Sequence, residues 1–209
     1  METKTNFDII RDILKCQGGY ITRKDINDQG IPSAVLSQYV KKFGLVKYDT
    51  GFYARPNWKK DEYLIFQYEY PKLIYSFSSA AHLHHLIDDQ VASLEVTAPK
   101  NYRPFPLPRS GVTLHTDTKD NTYHLGIIEV QTSLNNTIKV YDLEKTICDL
   151  IRNRNKIDKG FFITCLTNYK KRSDKNIINL LNYAKEMKIE RELHSLLDVI
   201  LIKDSSLDL

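Results

Sequence analysis

Apolar residues near the N-terminus recur at helical spacing and predict three short helices. The first is amphipathic and ends before the glycine pair at residues 18–19. The second covers residues 23–29, because Thr22 is a favourable N-cap and an acid lies at the third helical position. The third covers residues 33–43 and follows a proline, with Ser33 expected as its cap. These lengths indicate a small helical unit.

The third helix combines an apolar face with a polar face that carries positive charge. Its apolar residues repeat at helical spacing and are expected to be buried: Leu36, Tyr39, Val40 and Phe43. The opposite side carries small polar and basic residues: Ser33, Ser37, Gln38, Lys41 and Lys42. No acid occurs between Asp28 and Asp49. Such side chains fit the major groove of DNA without steric or charge conflict, so we predict that this face binds DNA.

Two short apolar runs after this helix predict a β-hairpin. Residues 45–48 and 52–54 flank a turn that contains glycine, and Lys47 places a cation on the hairpin. Helices followed by such a hairpin indicate a winged helix-turn-helix over residues 1–57, with Arg23 among its DNA-binding residues. The alternative is a small helical domain with an ordinary solvated face, because a helix-turn-helix pattern alone has many false positives.

The rest of the chain, residues 58–209, is expected to form one α+β domain. A helix over residues 61–70 and a strand over residues 73–77 precede a helix that Ser78 and Ser79 are expected to cap. β-rich segments then predict a mostly antiparallel sheet: residues 94–97, 112–115, 123–131 and 137–141. A proline-rich loop, residues 99–108, lies between the first two. After the last of these strands, apolar residues at helical spacing predict a C-terminal helical bundle.

Composition fits a globular protein and does not by itself indicate a nucleic-acid partner. Hydrophobic residues make up 42% and charged residues 27%, and the net charge is only +4. Basic residues exceed acidic ones in residues 1–57 and 139–209, whereas the middle is slightly acidic. The sequence shows no signal peptide or membrane-spanning segment, and its three cysteines form no metal or disulfide pattern. We therefore expect a cytoplasmic protein with no membrane partner.

Candidate catalytic and metal-binding chemistry is weak in this sequence. His82 and His85 lie three apart with Asp88-Asp89 nearby, but no third ligand is assured, so we expect no metal. Lys145 and Asp149 are four apart on one helical face, which is the spacing of an ordinary ion pair on a helix surface. We expect no cofactor and no enzymatic activity. The rival is a phosphotransferase or nuclease with a metal at the histidines, or a nucleotide near the lysine and aspartate.

Two basic runs follow predicted helices in the second half of the chain. They consist of Arg152, Arg154, Lys156 and Lys159, and of Lys170, Lys171, Arg172 and Lys175. Charge runs are usually solvated surface. The alternative is a second phosphate-binding face, which would add DNA contacts from Arg152, Arg154, Lys170, Lys171 and Arg172.

Segments spread along nearly the full length match the motifs of one protein family. Residues 19–53 look like the family's winged helix, and residues 77–86 are similar to its "SALYLHGL"-type helix. Residues 96–99 match a "VTVP"-type strand, and residues 141–151 contain the most specific match, to an "EKTLCDL" element. Through these motifs the chain resembles the AbiEi antitoxins of abortive-infection, type IV toxin–antitoxin systems.

The resemblance implies that the protein represses its own operon and neutralises a toxin. The winged helix would bind double-stranded operator DNA, expected to contain inverted repeats. The C-terminal domain would neutralise a nucleotidyltransferase-like toxin without requiring a stable complex, and the two activities would separate near residues 57–60. Antitoxin function would fall on Ser79 and on Glu144, Lys145 and Asp149, the last three on the exposed side of their helix. The first rival is a transcriptional regulator whose second domain senses a ligand.

Overall fold

The computed structural model divides the chain into two compact units, residues Met1–Glu69 (unit 1) and Tyr70–Leu209 (unit 2). The structure describes residues 4–88, 92–103, 107, 111–117, 122–197 and 200. Both units combine helices with sheet, as expected for an α+β chain.

Unit 1 holds four helices and a three-stranded antiparallel sheet. Its elements are α1 (Asn6–Cys16), β1 (Tyr20–Thr22), α2 (Arg23–Asp28), α3 (Ser33–Phe43), β2 (Val46–Asp49), β3 (Phe52–Ala54) and α4 (Glu62–Glu69). The strand order is β1-β3-β2, so the hairpin of β2 and β3 is extended by the short strand before α2. The first three helices enclose an apolar core that includes Ile10, Leu14 and Ile26. The predicted helices and hairpin of this region are confirmed.

Local caps fix the ends of α2 and α3. Thr22 and Asp25 form a capping box, and the amide of Asp25 donates to the Thr22 hydroxyl at 3.2 Å. After α2, Gly30 adopts a φ of +64°, and its amide donates to the carbonyl of Asn27. The expectation that Ser33 caps α3 is wrong, because Pro32 occupies the N-cap and Ser33 is the first helical residue.

Helix α4 packs on the sheet of unit 1. The Tyr68 hydroxyl donates to the carbonyl of Gly51 at 3.2 Å, and its ring lies edge-on to Phe52 with centroids 5.5 Å apart. These contacts explain why the chain divides after Glu69 rather than at residue 57. Residues 58–69, assigned above to the second domain, fall in unit 1.

Unit 2 places a five-stranded sheet beside a group of helices. Its elements are β4 (Ile74–Tyr75), α5 (Phe77–Leu83), β5 (Leu94–Ala98), β6 (Val112–Thr116), β7 (Ile127–Gln131), β8 (Thr137–Tyr141), α6 (Leu143–Arg152), α7 (Lys159–Lys171), α8 (Ile177–Glu186) and α9 (Glu190–His194). A 3-10 turn covers Thr122–His124. The strand order is β6-β5-β4-β8-β7. The predicted C-terminal group of helices is confirmed in the described residues.

The sheet of unit 2 is mixed, so the expectation of a mostly antiparallel sheet is wrong. β4 pairs with β5 and β7 pairs with β8 in antiparallel fashion, whereas β5–β6 and β4–β8 are parallel. Parallel neighbours need long connections, and the chain between β5 and β6 supplies one of them. Residues 104–106 and 108 of the predicted proline-rich loop lie outside the described residues. The N-cap of α5 is Ser76 rather than Ser78 or Ser79.

Helix α6 is buried on every side. Every residue from Leu143 to Ile151 is buried, although the sequence pattern is strongly amphipathic. Its apolar face packs against α5, α7, α8 and α9 in a core that includes Ile147, Cys148 and Leu150. Asp142 is its N-cap, accepting the amide hydrogen of Lys145 at 2.8 Å and the Tyr183 hydroxyl at 2.9 Å. The charged residues of α6 must therefore find partners inside unit 2.

In the part of the chain that the structure describes, no helix has both the length and the apolar character needed to cross a bilayer.

We predict that Gly126→Ala destabilises unit 2. Gly126 has a φ of +64°, and a Cβ there would lie 2.7 Å from both Asp142 Oδ1 and Lys145 Cβ at the start of α6. Left-handed backbone and overpacking together should reduce the free energy of unfolding by about 2–5 kcal/mol. Gly111→Ala is the control, because Gly111 also has a positive φ but nothing lies within 4 Å of its added Cβ. Equal losses in denaturant titrations of the two variants would contradict the steric explanation.

Candidate functional site

The polar face of α3 is open to solvent in unit 1. Its five expected residues are all exposed: Ser33, Ser37, Gln38, Lys41 and Lys42. Lys47 on β2 and Arg23 at the start of α2 are exposed as well. The predicted surface residues are therefore accessible.

Contacts within this face distinguish its members. The Ser37 hydroxyl donates to the carbonyl of Ser33 at 3.1 Å, so it keeps only acceptor capacity for a ligand. The Lys42 ammonium lies over the rings of Phe7 and Phe43, 5.4 and 5.6 Å from their centroids. Phe43 was expected in the core but is exposed, because it ends α3 at the edge of the unit. Gln38 and Lys41 are the groups on this face best placed for a partner.

The expectation that Glu144, Lys145 and Asp149 lie on an exposed side of their helix is wrong. The Lys145 side chain is 3% exposed and that of Asp149 is 9% exposed. The Lys145 Nζ donates to both carboxylate oxygens of Asp149 at 2.7 Å and lies 4.2 Å from the centroid of the Tyr141 ring. Burial raises the pKa of the Asp149 carboxyl, and the lysine opposes that shift. This is a desolvated ion pair rather than a surface pair.

Glu144 joins α6 to the two helices beside it. Its carboxylate accepts the Tyr169 hydroxyl of α7 at 3.2 Å and the amide hydrogen of Asn176 before α8 at 2.8 Å. Burial raises the pKa of Glu144, and these hydrogen bonds counteract the rise. The Glu144 carboxylate therefore connects α6 to α7 and to the start of α8, a role that the sequence pattern did not indicate.

Ser79 belongs to a second polar cluster, between α5 and strands β5 and β6. Its hydroxyl accepts the amide hydrogen of Glu95 at 2.8 Å. The Glu95 carboxylate meets the Nε2 of His115 at 2.7 Å and accepts the Ser78 hydroxyl at 2.7 Å. Burial acts to raise the pKa of Glu95, but hydrogen bonds from His115 and Ser78 outweigh it and leave the pKa below its usual value. Ser79 is fully buried, and this hydrogen bond joins α5 to the backbone of β5.

A cavity of about 520 Å³ lies along the polar side of α6. Its wall includes Lys145 and Asp149 together with residues that sequence reasoning missed. The lining consists of Phe77, Thr97, Leu114, His115, Thr116, Asp117, Thr122, Tyr141, Lys145, Asp149, Arg152, Asn153 and Lys156. Local sequence patterns did not indicate this cavity, because its wall depends on tertiary pairing: the parallel register of β5 and β6 sets Thr97 beside His115.

The side chains of the two basic runs differ in their exposure and in their hydrogen-bond partners. Arg172 pairs with Asp174 at 2.7 Å and also donates to the carbonyl of His84. Arg154 donates to the carbonyl of Ile151 at 3.2 Å. Arg152 lines the cavity, Lys170 is half-buried and Lys171 is exposed. A role for these five residues in DNA binding stays a prediction.

The histidines of the sequence motif do not assemble a metal site in the described residues. Within those residues, no three His, Cys, Asp or Glu side chains lie close enough together to hold an ion. His84, between the two histidines considered above, contacts the carbonyl of Tyr141 at 2.6 Å through Nε2. Asp89 lies outside the described residues.

Comparisons with known proteins leave the family of this chain open. No protein-family model matches the chain, and no curated protein matches it. Among solved structures, the crystal structure of the RV2827C protein from Mycobacterium tuberculosis is similar at 10% sequence identity and a TM-score of 0.46. The match covers 97% of this chain and 84% of that chain. At this distance the likeness carries no argument about fold or function.

Proposed function

We propose that unit 1 is a winged helix-turn-helix that binds double-stranded DNA. The observation that carries the proposal is the exposed face of α3, which offers amide, hydroxyl and ammonium groups and no acid. A helix with such a face can enter a major groove, where an amide can bind adenine edges and lysines can contact phosphates. Residues 29–32 join α2 to α3, as in a helix-turn-helix.

The hairpin of β2 and β3 would act as the wing. Lys47 is exposed on its outer strand, and that strand begins shortly after α3 ends. A cation there would extend the footprint from bases to the neighbouring phosphate backbone. Among the described residues, no acidic side chain pairs with Lys41, so its charge is available to a phosphate.

We further propose, from the resemblance to AbiEi antitoxins, that the protein represses its own operon and neutralises a nucleotidyltransferase-like toxin. Glu144, Lys145 and Asp149 are buried, so their part in neutralisation would be to shape unit 2 rather than to touch the toxin. The second candidate is a transcriptional regulator whose second domain senses a ligand. The cavity beside α6 favours this alternative.

The first test removes two cations from α3. Lys41→Gln together with Lys42→Gln should weaken binding to the promoter region of the protein's own gene. The slope of log affinity against log salt should become shallower by about 0.9 for each phosphate that the variant no longer neutralises. Lys59→Gln with Lys185→Gln is the matched control, because both lysines are exposed and lie outside α3 and the hairpin. An unchanged slope in the α3 variant would remove α3 from the DNA interface.

The second test concerns sequence reading by Gln38. Gln38→Ala should cost about 1–3 kcal/mol of discrimination between operator and random DNA if the amide binds a base edge. Ser37→Ala should cost less, because the Ser37 hydroxyl already donates to the helix backbone. Competition gel shifts against random duplex measure the difference. If Gln38→Ala loses equal affinity for operator and random DNA, the residue contacts the DNA phosphate backbone rather than a base.

The third test separates repression from toxin neutralisation in the full chain. When this chain is co-expressed with a nucleotidyltransferase-like toxin encoded beside its gene, it should restore the growth of cells that the toxin inhibits. The variant with Lys41→Gln and Lys42→Gln should restore growth equally, although it loses operator binding, because its substitutions lie in unit 1. Growth curves and gel shifts are scored on the same variants. Failure of the unaltered chain to restore growth would overturn the antitoxin proposal and leave the DNA-binding proposal intact.

A further inference from the structure

The cavity beside α6 has the size and the polar lining of a small-molecule site. Its volume of about 520 Å³ falls in the range of roughly 300–1,000 Å³ found for ligand pockets. Hydroxyl, amide, imidazole and charged groups converge on it from four elements and two connecting segments of unit 2. Such convergence supplies both orientation and specificity for a bound molecule.

Positive charge is concentrated on one side of this cavity. Lys145, Asp149 and Arg152 are spaced four and three residues apart on one side of α6. Lys156 follows the end of the helix and lines the same cavity. Lys145 uses two of its three N–H donors on Asp149, and one donor is left for a ligand. The other acid in the lining, Asp117, accepts the Thr122 hydroxyl at 3.2 Å. The cations therefore outnumber the acids, and the site favours an anion.

An aromatic platform forms another part of the wall. The rings of Phe77 and His115 are stacked, with centroids 3.9 Å apart and an angle of 25° between their planes. Phe77, the first residue of α5, has a φ of +47°, which is uncommon for a bulky side chain. Strained backbone of this kind persists where surrounding structure enforces it and gathers at ligand sites. Flat rings at a cavity wall suit stacking against a planar heterocycle.

We propose that this cavity binds a nucleoside monophosphate. The base would lie against the Phe77–His115 platform, and the phosphate would be held by Lys145, Arg152 and Lys156. Asp117 is placed to accept a ribose hydroxyl. This binding involves unit 2 alone, so it stands or falls separately from DNA binding by unit 1.

Isothermal titration calorimetry on the full chain tests the proposal directly. The probes are AMP, GMP, CMP and UMP, each compared with its nucleoside and with ribose 5-phosphate. At least one monophosphate should bind at a single saturable site with a Kd below about 1 mM, and more tightly than either fragment. Absence of saturable binding by all four would overturn the proposal, as would equal affinity for ribose 5-phosphate.

Four variants locate the binding site. Arg152→Gln with Lys156→Gln should raise the Kd at least about tenfold, because charge-assisted hydrogen bonds to phosphate are removed. Lys145→Met with Asp149→Leu should do the same while keeping the fold, since both partners of the buried pair are replaced together. His115→Gln keeps a hydrogen-bond donor for Glu95 but removes the ring. It should therefore weaken binding of the monophosphate and leave the affinity for ribose 5-phosphate unchanged. Lys159→Gln with Lys185→Gln is the charge-matched control.

Circular dichroism and thermal unfolding establish that each variant is folded before titration. If the control variant binds the monophosphate as weakly as the Arg152 and Lys156 variant, the loss of affinity follows net charge. That result would overturn the assignment to this cavity. Full-affinity binding by both the Arg152/Lys156 variant and the Lys145/Asp149 variant would overturn it as well.

Discussion

The complete burial of α6 is the constraint on which unit 2 depends. A helix with one apolar face normally leaves its other face in water, where charged side chains need no partners. Here the residues of the second face are also buried as far as Ile151, so the charges among them need partners within unit 2. Lys145 and Asp149 satisfy each other, and Glu144 is satisfied by α7 and by the residue that caps α8. The neighbouring helices and the cavity wall thus surround charged groups that are buried.

Unit 1 is stabilised by a different kind of interaction. Its helices begin and end at local caps, such as the box formed by Thr22 and Asp25. Its aromatic residues pack on the sheet, where Tyr20, Phe52 and Trp58 lie with their ring centroids within 6 Å of one another. Apart from Asp61, which is buried, the charged residues described in unit 1 are exposed or half-buried. In the functions proposed above, unit 1 would recognise DNA through surface groups, and unit 2 would recognise its ligand through groups that line an internal cavity.

Features of the fold that depend on residues close in sequence were predictable, whereas features that depend on residues far apart in sequence were not. The α2 cap, the end of α3 and the hairpin depend on neighbours in sequence, and the sequence predicted them. The parallel pairing of β4 with β8 depends on residues far apart, and no local pattern indicated it. An i,i+4 pair such as Lys145 and Asp149 has the same spacing on a surface and in a core, so its burial was not predictable. The cavity was also not predicted from the sequence, because Phe77 and His115 come into contact only through tertiary packing.

The central position of β4 sets the order in which the chain folds during synthesis. Tyr75 pairs with Val96 on one side and with Val140 on the other, so the sheet of unit 2 cannot close until β8 has left the ribosome. The three strands of unit 1, by contrast, pair within residues 20–54. Domains generally fold as units from the N-terminus, and non-local pairing is slow. On a growing chain, we therefore expect the sheet of unit 1 to pair while β4 and β5 still await β8.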